Sequence, residues 1–154
     1  MLSQDKLNKI EELRKRFPDP KSLTIPVLWM AQEQYGWISE STVREVAGLL
    51  NLPSAHVYGV ASFYTMFNKK PVGKHHIQIC TNVSCSLLGA GRLVDYLSGK
   101  LNIRAGETTP DGKFTLTEVE CLGSCGTAPA MQINDDYYEN LTAEKLDRIL
   151  SELK

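Results

Sequence analysis

Long apolar runs are missing from this 154-residue chain. No segment approaches the roughly 20 apolar residues that a membrane helix requires, so direct membrane insertion is not expected. An excess of one charge is missing as well. Seventeen basic against 18 acidic side chains leave a net charge of −1, which provides no electrostatic footprint for nucleic acid or anionic lipid. The opening MLSQDKLNKIEELRKRF contains no apolar signal core, so a cytoplasmic location is expected. Thiols stay reduced there, and structural disulfides are a poor explanation for any cysteines. A dinucleotide fingerprint is also lacking. Gly89-Ala90-Gly91 supplies G-x-G, but Val94 stands where the third glycine belongs, and the segment reads as a helix start.

Cysteine is scarce, and its placement is the most informative feature of the chain. The four present fall in two tight pairs, Cys80 and Cys85 in ICTNVSC, then Cys121 and Cys125 in ECLGSCG. The spacing is C-x4-C, thirty-five residues, C-x3-C. Four thiolates suit a tetrahedral zinc ion or an iron–sulfur cluster, and none is left over. A redox dithiol of thioredoxin type expects C-x-x-C, which is absent. The intervening residues are small and polar (Thr81, Asn82 and Ser84, then Gly123, Ser124 and Gly126). Loops of that kind let backbone N–H groups point at sulfur. From spacing alone a 2Fe-2S cluster, a zinc site and a redox dithiol all remain open.

Organisation changes near Lys69-Lys70-Pro71-Val72-Gly73. Residues 1–72 carry +2 and read as helices; residues 73–154 carry −3 and alternate strands with helices. Two domains are therefore expected, 1–72 and 73–154, in an α+β fold. The helical part divides into about four short helices. The first covers 4–16, and the second runs from Thr24 to Gly36 with Pro26 tolerated in its first turn. The third runs from Ser39 or Ser41 to Leu50, with Asn51 as a left-handed stop. The fourth starts at Pro53 or Ser54 and carries Val57, Val60, Ala61 and Tyr64. Val43, Val46, Ala47 and Leu50 line one helical face.

In the second part, strands are expected at His75–Cys80, Phe114–Glu120 and Ala130–Ile133, the last ending at Asn134-Asp135-Asp136. Helices are expected from Gly89 to Lys100 and after Thr142, with Leu146, Ile149, Leu150 and Leu153 on the apolar face. A strand–helix–strand unit implies a right-handed crossover between parallel strands. Cys80 and Cys121 would then end two neighbouring strands at one edge of the sheet, where open α/β sheets favour ligands.

Two further readings fail on residue type. Residues 43–57 pass for a helix-turn-helix, but the would-be recognition helix, 53–65, has no Lys or Arg for phosphate contacts. His56, His75 and His76 could serve a Rieske-type cluster only if they replaced cysteines, and four are already present. These histidines read as a helix-surface residue and two residues at a strand start. Trp29, Trp37, Phe63, Tyr64, Met66 and Phe67 read as core or helix-packing residues, with part of SFYTMF a candidate partner surface.

The segments C-T-x-x-x-C and E-C-L-G-S-C-G-x-A-P resemble the thioredoxin-like 2Fe-2S ferredoxins. YGWIS and LPSAHVYGVASFYTMF resemble the helical N-terminal segment of the small iron–sulfur subunit of NADH-oxidising modules, and the likeness spans roughly residues 5 to 152. That family occurs in respiratory complex I, with relatives in NAD-linked hydrogenases and formate dehydrogenases. The resemblance implies a thioredoxin-like α/β domain behind the helical segment. It implies one 2Fe-2S cluster on Cys80, Cys85, Cys121 and Cys125, two cysteines to each iron. It further implies an electron-transfer role in an NADH:quinone oxidoreductase, with FMN and NAD on a partner flavoprotein subunit and a peripheral place on the cytoplasmic side of the inner membrane. The N-terminus shows no targeting extension, so a bacterial rather than a mitochondrial protein is expected. The diaphorase subunit of a hydrogenase or formate dehydrogenase is the nearest alternative, and a zinc-stapled interaction module the remoter one.

Overall fold

The structure is a computed structural model and describes residues 1–153. It divides into two compact units, Met1–Pro71 and Val72–Lys154.

The first unit is helical. Helix α1 spans Gln4–Arg16, α2 Thr24–Tyr35, α3 Glu40–Leu50 and α4 Ser54–Phe63. Their ends follow local chemistry. Gly36 closes α2 at φ 79°, and Asn51 closes α3 at φ 54°, both left-handed conformations that glycine and asparagine tolerate best. Ser39 opens α3 by accepting a hydrogen bond from the Thr42 N–H at 3.1 Å. A 3-10 turn at Pro20–Leu23, absent from the sequence reading, forms because Pro20 fixes φ and the Asp19 carboxylate accepts from the Lys21 N–H. Ile10, Leu23, Val27, Leu28, Val46, Leu50, Val57 and Phe67 form the buried core of this unit.

Two expectations are corrected in this unit. Tyr64 lies beyond the end of α4 in extended backbone, so it does not continue that helix's apolar face. Of the aromatic and Met residues read as core, only Phe67 is fully buried, while Phe63 is 77% exposed. Trp29 is half-exposed but packs edge-on against Phe67 at 5.9 Å.

The second unit is a four-stranded mixed sheet with helices, the thioredoxin-like α+β arrangement. Strand β1 (His75–Cys80) lies centrally. It pairs in parallel with β2 (Phe114–Val119) and antiparallel with β3 (Met131–Ile133), which pairs antiparallel with β4 (Asp136–Tyr138). Between β1 and β2 come α5 (Val83–Leu87) and α6 (Ala90–Leu101), and α7 (Ala143–Glu152) closes the chain. The apolar face of the sheet (Ile77, Ile79, Leu116, Met131 and Ile133) is buried with Leu97 of α6 and Leu146 and Ile149 of α7. Tyr96 donates to the Asp147 carboxylate at 2.5 Å, and Lys100 pairs with the same group, joining α6 to α7.

The alternation of β2 breaks at Thr115 for a reason. This residue is buried because its hydroxyl accepts from the Gly73 N–H at 2.6 Å and lies 2.7 Å from the Thr108 hydroxyl. A Cβ on Gly73 would stand 2.9 Å from the Phe114 backbone, so only glycine fits there. Two elements differ from the sequence reading. The third strand ends at Asn134 as expected, but Asn134 adopts φ 54° and turns the chain back into β4, a strand the reading did not include. Strand β2 ends at Val119 rather than Glu120, leaving Cys121 in the loop beyond it.

Candidate metal centre

The register of the parallel pair positions the site. Cys80 is the last residue of β1 and stands opposite Val119, the last of β2. The backbone holds this corner closed, with the Cys80 N–H donating to the Ala130 carbonyl at 3.1 Å and the Thr81 N–H to the Val119 carbonyl at 3.0 Å. Chain leaving β1 passes through Asn82, whose carboxamide oxygen accepts from the Val83 N–H and caps α5. One turn of that helix delivers Cys85. Chain leaving β2 passes directly to Cys121. Gly123, at φ 73°, bends the loop and donates its N–H to the Cys121 sulfur at 3.3 Å. Cys125 then opens a 3-10 turn ending at Thr127.

Three of the sequence-predicted thiols are in contact, and the fourth lies in the same region. Cys80 lies against Cys85 and Cys121, and Cys85 is within electrostatic reach of Cys125. Their environments differ. Cys80 and Cys85 are buried; Cys121 and Cys125 are exposed. Burial pushes the Cys80 thiol up, but the N–H groups of Asn82 and Leu122 and the adjacent Cys85 and Cys121 sulfurs overcome it, and the group stands below its ordinary value. Burial also pushes the Cys85 thiol up. The Ala130 N–H opposes that, Cys80 and Cys125 add to it, and the group stands above. Among the described residues no three His, Cys, Asp or Glu side chains close on a single metal-ion position.

The donor set fits a two-iron cluster. It offers four thiols in two pairs, and backbone N–H groups reach three of the sulfurs. A Cβ on Gly126 would meet nothing within 4 Å, so the space beside Cys125 is open. The profile of a family described as thioredoxin-like [2Fe-2S] ferredoxin matches residues 10–154.

The chain belongs to the thioredoxin-like [2Fe-2S] ferredoxin family.

Relatives of this ferredoxin match nearly its whole length. An E-type NADH-quinone oxidoreductase subunit of Rhizobium meliloti is 46% identical over 146 residues, 95% of this chain and 87% of the relative. The E-type NADH-quinone oxidoreductase subunit of Rickettsia conorii is 46% identical over 151 residues, 96% and 90% of the two chains. Among solved structures, an NAD+-reducing [NiFe]-hydrogenase in its air-oxidized state superposes with TM-score 0.75 over 85% of this chain at 23% identity. This ferredoxin spans about a fifth of that hydrogenase chain, 22%, and the likeness concerns the fold alone.

The other singled-out residues have structural partners. His56 of α4 lies 3.3 Å from the Thr24 hydroxyl, and His76 lies 2.9 Å from the Thr117 hydroxyl, with burial lowering its pKa. His75 packs against Phe114. His75 and His76 start β1, at the end opposite Cys80. Gly89 at φ 94° is the N-cap of α6, as its reading as a helix start requires. Sequence reasoning missed the residues that hold the second cysteine loop. Ser124 and Thr127 both donate to one carboxylate oxygen of Glu139, and the Tyr137 hydroxyl donates to the Leu122 carbonyl at 3.1 Å. The two hydroxyls keep the Glu139 carboxylate below its ordinary value. No local spacing announces these partners; they lie 12 to 15 residues apart in the chain.

Proposed function

We propose that this chain is the small electron-carrying subunit of an NADH:quinone oxidoreductase, working beside a flavin- and NADH-binding partner. The observation that supports it most is the convergence of Cys80, Cys85, Cys121 and Cys125 at the C-terminal ends of two parallel strands, in a chain 46% identical to an NADH-quinone oxidoreductase subunit across nearly its full length. The diaphorase alternative has only a likeness of fold behind it.

In this reading Cys80 and Cys85 would hold one iron and Cys121 and Cys125 the other, because a close pair can chelate one metal. The bound 2Fe-2S cluster supplies a one-electron acceptor whose potential responds to hydrogen bonding at sulfur and to burial. The rest is the work of the chain. The Asn82, Leu122, Ala130 and Gly123 N–H groups point at ligand sulfurs and favour their anionic form. The apolar sheet face excludes water beneath Cys80 and Cys85. The exposed side of the site carries Cys121, Cys125, Val83, Leu87 and Leu88, and it is the side a flavoprotein would approach. Electrons come from that partner's flavin, since the sequence supplies no hydride site.

Residues 1–72 and 73–154 act as two domains, and exposed Phe63, Tyr64 and Met66 of the first offer further partner surface. Among the described residues no helix is long and apolar enough to cross a membrane, in keeping with a peripheral place on the cytoplasmic side. The test is to add NADH anaerobically to the chain alone and to the chain mixed with the flavoprotein. Appearance of the reduced 2Fe-2S EPR signal of this chain only in the mixture supports the reading, and its absence from the mixture, with the flavin itself reduced, overturns it.

A further inference from the structure

The second cysteine loop holds itself only in part. Leu122 packs against the core and the Thr127 N–H donates to the Ser124 carbonyl at 3.2 Å, but Gly123, Ser124 and Gly126 bring no apolar side chain to bury. Cys125 sits in a three-residue 3-10 turn, too short to be a stable element. The loop is instead fastened along its length by residues 137–141, the exit from β4 toward α7. The Tyr137 hydroxyl donates to the Leu122 carbonyl at 3.1 Å. The Glu139 carboxylate accepts from Ser124, the residue before Cys125, and from Thr127, two after it, at 2.6 Å for the latter. The Asn140 N–H donates to the Thr127 carbonyl at 2.7 Å and the Leu141 N–H to the Pro129 carbonyl at 3.1 Å. Lys145 of α7 donates to the Glu139 carbonyl at 2.6 Å and fixes the fastening segment from behind.

We propose that Glu139 is a positioning residue for the cluster, its one carboxylate oxygen gathering the hydroxyls on both sides of Cys125 and holding that cysteine where the other three can share a metal centre with it. This rests on the ligand assignment proposed above. Glu139 touches no cysteine. It acts through Ser124 and Thr127, as carboxylates behind metal ligands do elsewhere, where their loss costs about 10- to 100-fold in metal affinity. A loop fastened only for general stability would not need its acceptor centred on the cysteine. Of the contacts from residues 137–141, the Glu139 carboxylate alone bonds on both sides of Cys125, once on each.

The experiment compares the full-length chain with Glu139→Ala, Glu139→Gln and the double variant Ser124→Ala/Thr127→Val. Three readouts are followed: cluster loss to an iron chelator, the EPR spectrum of the dithionite-reduced protein, and hydrogen exchange. Glu139→Ala is expected to shorten cluster half-life about tenfold or more and to alter the EPR g-values. Glu139→Gln keeps the Oε1 acceptor and is expected to restore both. The double variant removes the donors and is expected to match Glu139→Ala, which keeps the test decisive if one variant folds poorly. Exchange should quicken at Thr127 and Asn140 but not between Cys80 and Leu87. A wild-type half-life, spectrum and exchange pattern in Glu139→Ala overturns the inference, as does Gln failing to rescue. A wild-type chain that binds no 2Fe-2S cluster overturns the functional reading instead, and hydrogen exchange then still decides the role of Glu139.

Discussion

The two cysteine pairs lie near one another, Cys80 against Cys121, yet are held by different physics. Cys80 and Cys85 are 4% and 3% exposed. One ends the central strand, the other sits in a capped helical turn, and both belong to the apolar core. Cys121 and Cys125 are exposed, lie beyond the end of β2, and depend on hydrogen bonds from distant residues. Secondary structure and burial therefore fix one half of the site, and a polar strap fixes the other. That division suits an electron carrier. A rigid buried half sets the geometry, and an exposed half leaves the centre within reach of a partner.

Removing a ligand is the strongest way to break the comparison. Cys121→Ala and Cys80→Ala should each abolish 2Fe-2S binding, so both lower bound iron and sulfide to near zero. They should differ in the apoprotein. Cys80→Ala, inside the core, should lower the unfolding midpoint, while exposed Cys121→Ala should leave it unchanged. Equal losses of apoprotein stability would contradict the distinction. Next in size, Ile79→Ala, fully buried in the core cluster that includes the buried pair, should cost about 2–5 kcal/mol in denaturant unfolding, as large-to-small core substitutions do.

Smaller changes separate the two loops more finely. Gly123→Ala places a side chain at φ 73° and should cost about 1–2 kcal/mol, with its effect concentrated on the exposed pair. Asn82→Ala removes the cap of α5 and should cost about 1 kcal/mol, concentrated on the buried pair. Hydrogen exchange would show which loop each variant loosens, and the pattern reversed would sink the assignment.

Much of this was legible in the chain, and the misses share a cause. The helix ends of the first unit carry their own chemistry at Ser39, Gly36 and Asn51, so local reading placed them. The parallel crossover and the meeting of the cysteine pairs followed from strand order. Helix α5 was missed because VSCSL is too short for periodicity to register. Strand β4, DYY, was missed because an exposed edge strand with no buried residue carries no alternation. For Phe63, Tyr64 and Met66 both packing and partner surface stayed open, and they lie exposed; solvent exposure is set by tertiary packing, which composition does not encode. Glu139 was invisible for the same reason, since its partners lie on another segment.

The smallest expected effect is a control away from both loops. Asp147 stands below its ordinary pKa because of its hydrogen bonds from Lys100 and then Tyr96. A carboxylate depressed in the folded state stabilises above its unfolded pKa and loses that contribution as pH falls through the folded value. Asp147→Asn should therefore flatten the acid limb of the unfolding profile slightly, with cluster content unchanged at neutral pH. Loss of cluster in this variant would show that the α6–α7 contact reaches the site.

The most direct test of the four-thiolate centre is the composition and EPR of the anaerobically prepared chain, before and after dithionite. Two irons and two sulfides per chain, silent when oxidised and carrying one unpaired spin when reduced, are predicted. A colourless protein holding one zinc and no sulfide would contradict the electron-transfer reading.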